Sequence, residues 1–208
     1  TLSGAVSPTL VPTPLPDTPD QWQQIVADTA LSTGLVQTFG DNRLVRQGSG
    51  AVVSSDGLIV TTADVVVSGS FVYQAIIDGK ILRARIVARD VLQNLALLAV
   101  DTDGLTVTRF STVQNYQSGG TYIITGKTVS VPAAPTVFSQ RALLSYVTDK
   151  EIVLDTTLNY FLSGAKVIST GGSVAGVVAI RNTRIVLIPG RVIVQFMENY
   201  LSPRSNPR

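Results

Sequence analysis

From residue 33 onward the chain alternates short runs rich in Val, Ile and Thr with clusters of turn residues. The runs fall at 34–39, 50–54, 58–62, 71–77, 83–88, 96–100, 121–125, 142–147, 152–155, 174–180 and 184–188. Each has the length and β-branched content of a strand. Ser55-Asp56-Gly57, Asp78-Gly79-Lys80, Ser118-Gly119-Gly120 and Gly171-Gly172 separate them, and Asp78-Gly79 has the composition of a tight hairpin turn. Many short strands at regular spacing predict an all-β barrel or sandwich. Two stretches follow a helical period instead. Thr18-Pro19-Asp20-Gln21 reads as an N-cap, a Pro in the first turn and a capping-box Gln, and Trp22, Ile25, Val26 and Ala30 follow at helical spacing. A helix over about 19–31 is predicted. Near the other end, Ile193, Phe196, Met197, Tyr200 and Leu201 form an apolar stripe after Pro189-Gly190, and Pro203 ends it. Residues 1–17 contain four prolines and predict an extended linker. No repeat of 20–50 residues is evident.

Composition narrows the function. Hydrophobic residues make up 45% of the 208 and charged residues only 14%, against about 25% charged in average domains. The chain can therefore bury a core. The shortage of charge fits either an outer face of Ser, Thr and Gln or a surface covered by protein partners. Net charge is +2 without a basic block, so nucleic acid is not an expected partner. Cysteine is absent, which excludes disulfides and thiolate chemistry. No apolar run reaches the roughly 18 residues of a membrane span. The start at Thr1 suggests a processed chain, with any leader or anchor upstream. Histidine is also absent, which removes the commonest general base and His-ligated zinc. With no aspartate-rich loop either, no metal and no cofactor is expected.

Three ordered motifs carry a resemblance. Gly48-Ser49-Gly50-Ala51-Val52-Val53-Ser54-Ser55-Asp56-Gly57 leads to Thr61-Thr62-Ala63-Asp64-Val65-Val66. Asp90-Val91-Leu92-Gln93-Asn94-Leu95-Ala96-Leu97-Leu98-Ala99-Val100 follows, and then Asp155-Thr156-Thr157-Leu158-Asn159-Tyr160-Phe161-Leu162-Ser163-Gly164-Ala165. In this order the segments resemble serine proteases of the HtrA/Deg type, across about residues 31–201. Gly171-Gly172-Ser173-Val174-Ala175-Gly176-Val177 and Leu187-Ile188-Pro189 continue the match. The resemblance implies the chymotrypsin-like fold: two six-stranded antiparallel barrels, about 31–110 and 111–188, with the active site between them. It puts the family's histidine at Asp64, its aspartate at Asn94 and its nucleophile at Ser163. No PDZ domain, common after the protease in this family, is visible in the sequence.

These positions suggest a lost activity. A serine hydroxyl needs a base to take its proton, and a carboxylate with an ordinary pKa of about 3.9 is a weak one. Phe161 replaces the glycine that shapes the oxyanion hole, and one lost oxyanion donor costs about 10²–10³ in rate. The sequence-based expectation is therefore a pseudoprotease, not an enzyme. It would serve as a protein-binding or structural module outside the cytoplasm, through a partner or by self-association, with strand edges or the old groove as contact. Asp64, Asn94 and Ser163 would hydrogen-bond in place of the triad. The alternative is an unconventional endopeptidase using Ser163 with a base other than histidine. Lys166 and Lys127 are the candidates for a Ser–Lys dyad, and Lys166 otherwise reads as a solvated loop lysine.

Overall fold

The computed structural model describes residues 19–113, 115–129 and 134–201. The proline-rich segment 1–17 and the cap residue Thr18 lie outside them. The chain begins with a helix, α1 (Pro19–Leu31), and continues into six strands: β1 (Thr33–Gly40), β2 (Arg43–Val52), β3 (Leu58–Thr61), β4 (Val72–Ile77), β5 (Lys80–Asp90) and β6 (Leu95–Val100). These close into an antiparallel barrel in the order β1-β2-β3-β6-β5-β4. Six more strands follow: β7 (Thr121–Thr128), β8 (Thr136–Val147), β9 (Ile152–Asp155), β10 (Lys166–Ser169), β11 (Val174–Arg181) and β12 (Arg184–Pro189). They form a second closed barrel, β10-β11-β12-β9-β8-β7. The last element is α2 (Gly190–Leu201). Both rings are closed, so neither offers the open strand edge that the sequence reading gave to a docking partner.

Local chemistry fixes the hairpins. The β4–β5 turn has Asp78 at φ 48° and Gly79 at φ 76°, the left-handed pair of a type I′ turn whose twist suits a hairpin. Asp41-Asn42 and Asn182-Thr183 adopt the same left-handed pairing. Alternating residues of the strands then fill three apolar clusters. Val36, Val52, Ile59, Ile77 and Leu98 centre the first barrel. Ile124, Leu144, Leu154, Val167 and Leu187 centre the second. The third cluster lies between them: Val60, Leu95 and Leu97 from the first barrel meet Val153, Val177 and Ile188 from the second, with Ile193 and Phe196 of α2. Burying a side chain of this size stabilises by about 1.5–3 kcal/mol, so α2 joins the barrels rather than capping one. Its stripe is buried only in part, because Tyr200 and Leu201 are exposed.

Candidate functional site

The interface between the barrels is built on close backbone approach. Gly48-Ser49-Gly50 of β2 runs against the turn that carries Ser163. The Ser49 amide donates to the Ser163 carbonyl at 2.8 Å. Ser49 Oγ accepts from the Lys127 amide of β7 at 2.9 Å, and its carbonyl accepts from Thr61 Oγ1 at 2.7 Å. Gly164 sits at φ +76°, and a Cβ there would lie 1.9 Å from the Ser49 carbonyl oxygen. A Cβ on Gly48 would lie 2.6 Å from the Ser163 carbonyl oxygen. The two glycines let the barrels meet at backbone distance, which places Ser163 at the seam.

At this seam Ser163 Oγ donates to Asp64 Oδ2 at 2.8 Å, across 99 residues of sequence. Asn94 acts on the backbone of Asp64: its Oδ1 accepts from the Asp64 amide at 3.1 Å, and its carbonyl accepts from the Ala63 amide. Asn94 holds φ 56°, a left-handed conformation that Asn tolerates better than most residues. All three predicted site residues are thus together, in the order Ser163–Asp64–Asn94. Ser163 is 2% exposed and Asp64 is on the surface. A cleft of about 570 Å³ opens beside them, walled by Val45, Arg46, Gln47, Val65, Tyr160, Phe161 and Ile180.

The approach to Ser163 is a 3-10 turn, Tyr160–Leu162, in which the Leu162 amide donates to the Asn159 carbonyl at 3.1 Å. Phe161 lies in this turn at negative φ, so the backbone follows a path that a bulky residue accepts. Its ring meets Phe138 of β8 edge-on, with centroids 4.9 Å apart. Leu162 points into the second barrel and is fully buried.

Lys166 departs from both of its sequence readings. It is neither solvated nor beside Ser163, although only three residues separate them. Its side chain is fully buried. Nζ donates to the Thr29 carbonyl of α1 at 2.7 Å, to Ser32 Oγ at 2.8 Å and to Thr108 Oγ1 at 3.1 Å. Burial pushes its pKa down from 10.5 to about 7, with the charge of Lys127 adding to the effect. Lys127 is lowered too, first by burial, while Asp78 opposes the shift. Lys166 makes no dyad with Ser163, since its ammonium is directed at α1. The cleft walls Val45, Arg46, Tyr160 and Ile180 were not foreseen, because nothing local in the sequence marks them. The inward path of Lys166 had one signal: it sits within a stretch, Ala165 to Ile168, that is otherwise apolar.

The sequence profile of the trypsin-like peptidase domain matches residues 48–177, the span that holds Asp64, Asn94 and Ser163. The chain belongs to the trypsin-like peptidase family, of the HtrA/Deg type. Human serine protease HTRA4 is 28% identical over 193 residues, covering 85% of this chain and 40% of that protein. HhoB of Synechocystis, provisionally named a serine protease, is 31% identical over 145 residues, covering 66% of this chain and 35% of its own length. The chain therefore spans between about a third and two fifths of the length of these relatives. Among solved structures, the serine endoprotease of Yersinia pestis superposes with a TM-score of 0.73 at 22% identity, covering 92% of this chain and 68% of that one; at that identity the match speaks for the fold. These findings correct the expectation that the chain is not an enzyme. Its family is one of peptidases, and its relatives are named serine proteases and endoproteases. The weak-base argument behind that expectation concerns rate, and it does not establish that the chemistry is lost.

Proposed function

We propose that this domain is a serine endopeptidase of unconventional type that binds extended polypeptide in the inter-barrel cleft and attacks it with Ser163, using Asp64 as the base. The observation that carries the reading is the 2.8 Å hydrogen bond from Ser163 Oγ to Asp64 Oδ2 at the edge of the cleft. That distance is within the range required for direct proton transfer. In the first step Oγ forms a bond to the peptide carbonyl carbon while its proton passes to Oδ2. The C–N bond then breaks, and the leaving amine takes the proton from Asp64. Water then attacks the resulting ester and gives a proton to Asp64, which passes it to Ser163 Oγ as the acyl C–Oγ bond breaks, releasing the acid and regenerating Ser163. Asn94 orients the pair through the Asp64 amide. A carboxylate is a weaker base than imidazole, so acylation is slow compared with a histidine-dependent enzyme.

The test is covalent labelling with a fluorophosphonate, read by mass spectrometry. Slow formation of one adduct on Ser163 is expected. Ser163→Ala should abolish it, and Asp64→Asn should slow it by about 10²-fold or more, the usual worth of a positioned base. No adduct after prolonged exposure, or equal labelling of the Asp64→Asn variant, would sink the assignment. A DegP-like relative from Chlamydia trachomatis is named as a periplasmic endoprotease. We propose that the domain acts outside the cytoplasm, on polypeptide partners there; that likeness supports the reading. Recovery of the native protein in the cytosolic fraction alone would refute this placement.

A further inference from the structure

A fully buried lysine needs partners, and the partners of Lys166 carry no formal charge. Removing an ammonium from water is costly unless it is paired or well hydrogen-bonded. Three donors meet three acceptors here, and each acceptor lies on a different stretch of chain. The Thr29 carbonyl is in the last turn of α1, where the helix dipole favours a cation. Ser32 lies between α1 and β1, and Thr108 lies in the segment that joins the two barrels. These groups are also tied to one another. The Thr29 carbonyl accepts from Thr33 Oγ1 at 2.8 Å, and the Ser32 carbonyl accepts from Thr108 Oγ1 at 3.1 Å and from the Val52 amide at 3.0 Å. On its other side Lys166 opens β10, paired with Val177 of β11 and Thr125 of β7. Two residues upstream is Gly164, whose amide is fixed by the Val178 carbonyl, and next is Ser163.

We propose that Lys166 is a positioning residue whose ammonium couples the docking of α1 to the placement of the Ser163 turn. The coupling to catalysis rests on the reaction proposed above; the mechanical link between α1 and the turn does not. A helix that leaves its seat takes the Thr29 carbonyl and Ser32 with it. A buried ammonium then loses two of its three acceptors, and β10 can no longer hold Lys166 inward at the same cost. The Ser163 turn, three residues away and stitched to β2, loosens with it. The charged groups around Lys166 are few. Lys127 on β7 repels it, and Asp28 of α1 and Arg109 of the joining segment line a neighbouring cavity of about 460 Å³ together with Thr29, Ser32 and Thr108.

Hydrogen exchange by mass spectrometry tests the link in the intact chain, with rates corrected for intrinsic pH dependence. Lys166→Met should raise exchange at the end of α1 and at residues 160–166 together, by about tenfold or more, while β6 and β11 keep their protection. Thr108→Val, which removes one acceptor on the far side, should give the same pattern more weakly. A further readout separates positioning from mere space-filling. Between pH 6 and pH 9 the wild type should tighten at both places, because the buried ammonium favours an opened state in which it reaches water and that drive is lost as Lys166 gives up its proton, whereas Lys166→Met should show no such pH step. If α1 loosens without the turn, or neither changes, the coupling is refuted. The fluorophosphonate rate of Lys166→Met should fall with the turn's protection. An unlabelled wild type would overturn the catalytic reading alone, because the exchange data judge the link by themselves.

Discussion

At the scale of single residues, one glycine and one aspartate decide what this site can be. Gly164 combines a left-handed backbone with a Ser49 carbonyl oxygen that would stand 1.9 Å from any Cβ. Gly172 has a similar φ, +81°, with nothing near its Cβ position. The pair therefore separates backbone strain from steric contact. Gly172→Ala should cost about 1–2 kcal/mol, the penalty of the left-handed region alone. Gly164→Ala adds overpacking against backbone that cannot yield, and should cost at least about 3 kcal/mol. Urea denaturation of the two variants measures the difference; equal losses would mean that the barrels can part at the seam. Asp64 was legible in the sequence as a substituted position, and its effect on rate could be argued there. Its contact with Ser163 could not, since it depends on how two barrels meet.

At the scale of elements, the sequence pattern located most strands but misjudged the segment nearest the chemistry. The runs at 58–62, 152–155 and 184–188 lie within a residue of β3, β9 and β12. Strands β2, β5 and β8 extend well beyond their predicted cores because their ends carry Arg, Gln and Ser on exposed faces. β10 was not anticipated as a strand at all. It is four residues long, begins with Lys166 and pairs at both edges only through β7 and β11, so tertiary pairing outweighs its local pattern. The turn before it was legible only in part. Phe161 was read as a bulky residue in place of the oxyanion glycine, and it stands at negative φ; the 3-10 turn it joins and its packing on Phe138 were not foreseen. This gives a trade-off that can be measured. Phe161→Gly removes the ring and should cost about 2 kcal/mol of stability, less than a fully buried Phe because the residue is half-buried. It also frees the backbone for left-handed conformations. Fluorophosphonate labelling of Ser163 should then rise, by up to about 10²-fold if one oxyanion donor is regained. A variant that is less stable and no faster would show that the turn does not limit the reaction.

At the scale of the whole molecule, the buried polar groups give the stability a definite dependence on pH. Lys166 has its folded pKa near 7 against 10.5 for the free side chain. Between those values the unfolded chain holds a proton that the native state does not. Stability therefore rises with pH across that window, by at most about 1.4 kcal/mol per unit from this group. Lys127, also lowered by burial, adds in the same direction. The tyrosines act with the opposite sign. Burial raises Tyr116 from 10.0 to about 12, and raises Tyr122 and Tyr73 as well. Above pH 10 the unfolded state releases phenolic protons that the native state keeps, so stability falls. Urea midpoints from pH 6 to pH 11 should accordingly climb from about pH 7, peak near pH 10 and decline beyond it. Lys166→Met isolates the first limb. It exchanges a buried charge for an apolar chain of similar length, and Ser32 and Thr108 keep acceptors of their own in the Thr29 and Ser32 carbonyls. The variant should be at least as stable as wild type at pH 6, with most of the rise between pH 7 and pH 10 gone and the decline above pH 10 intact. A wild-type profile flat from pH 7 to pH 10 would mean that Lys166 keeps its proton inside the fold. Three neutral acceptors and one helix end would then suffice to hold a full charge at the junction of both barrels.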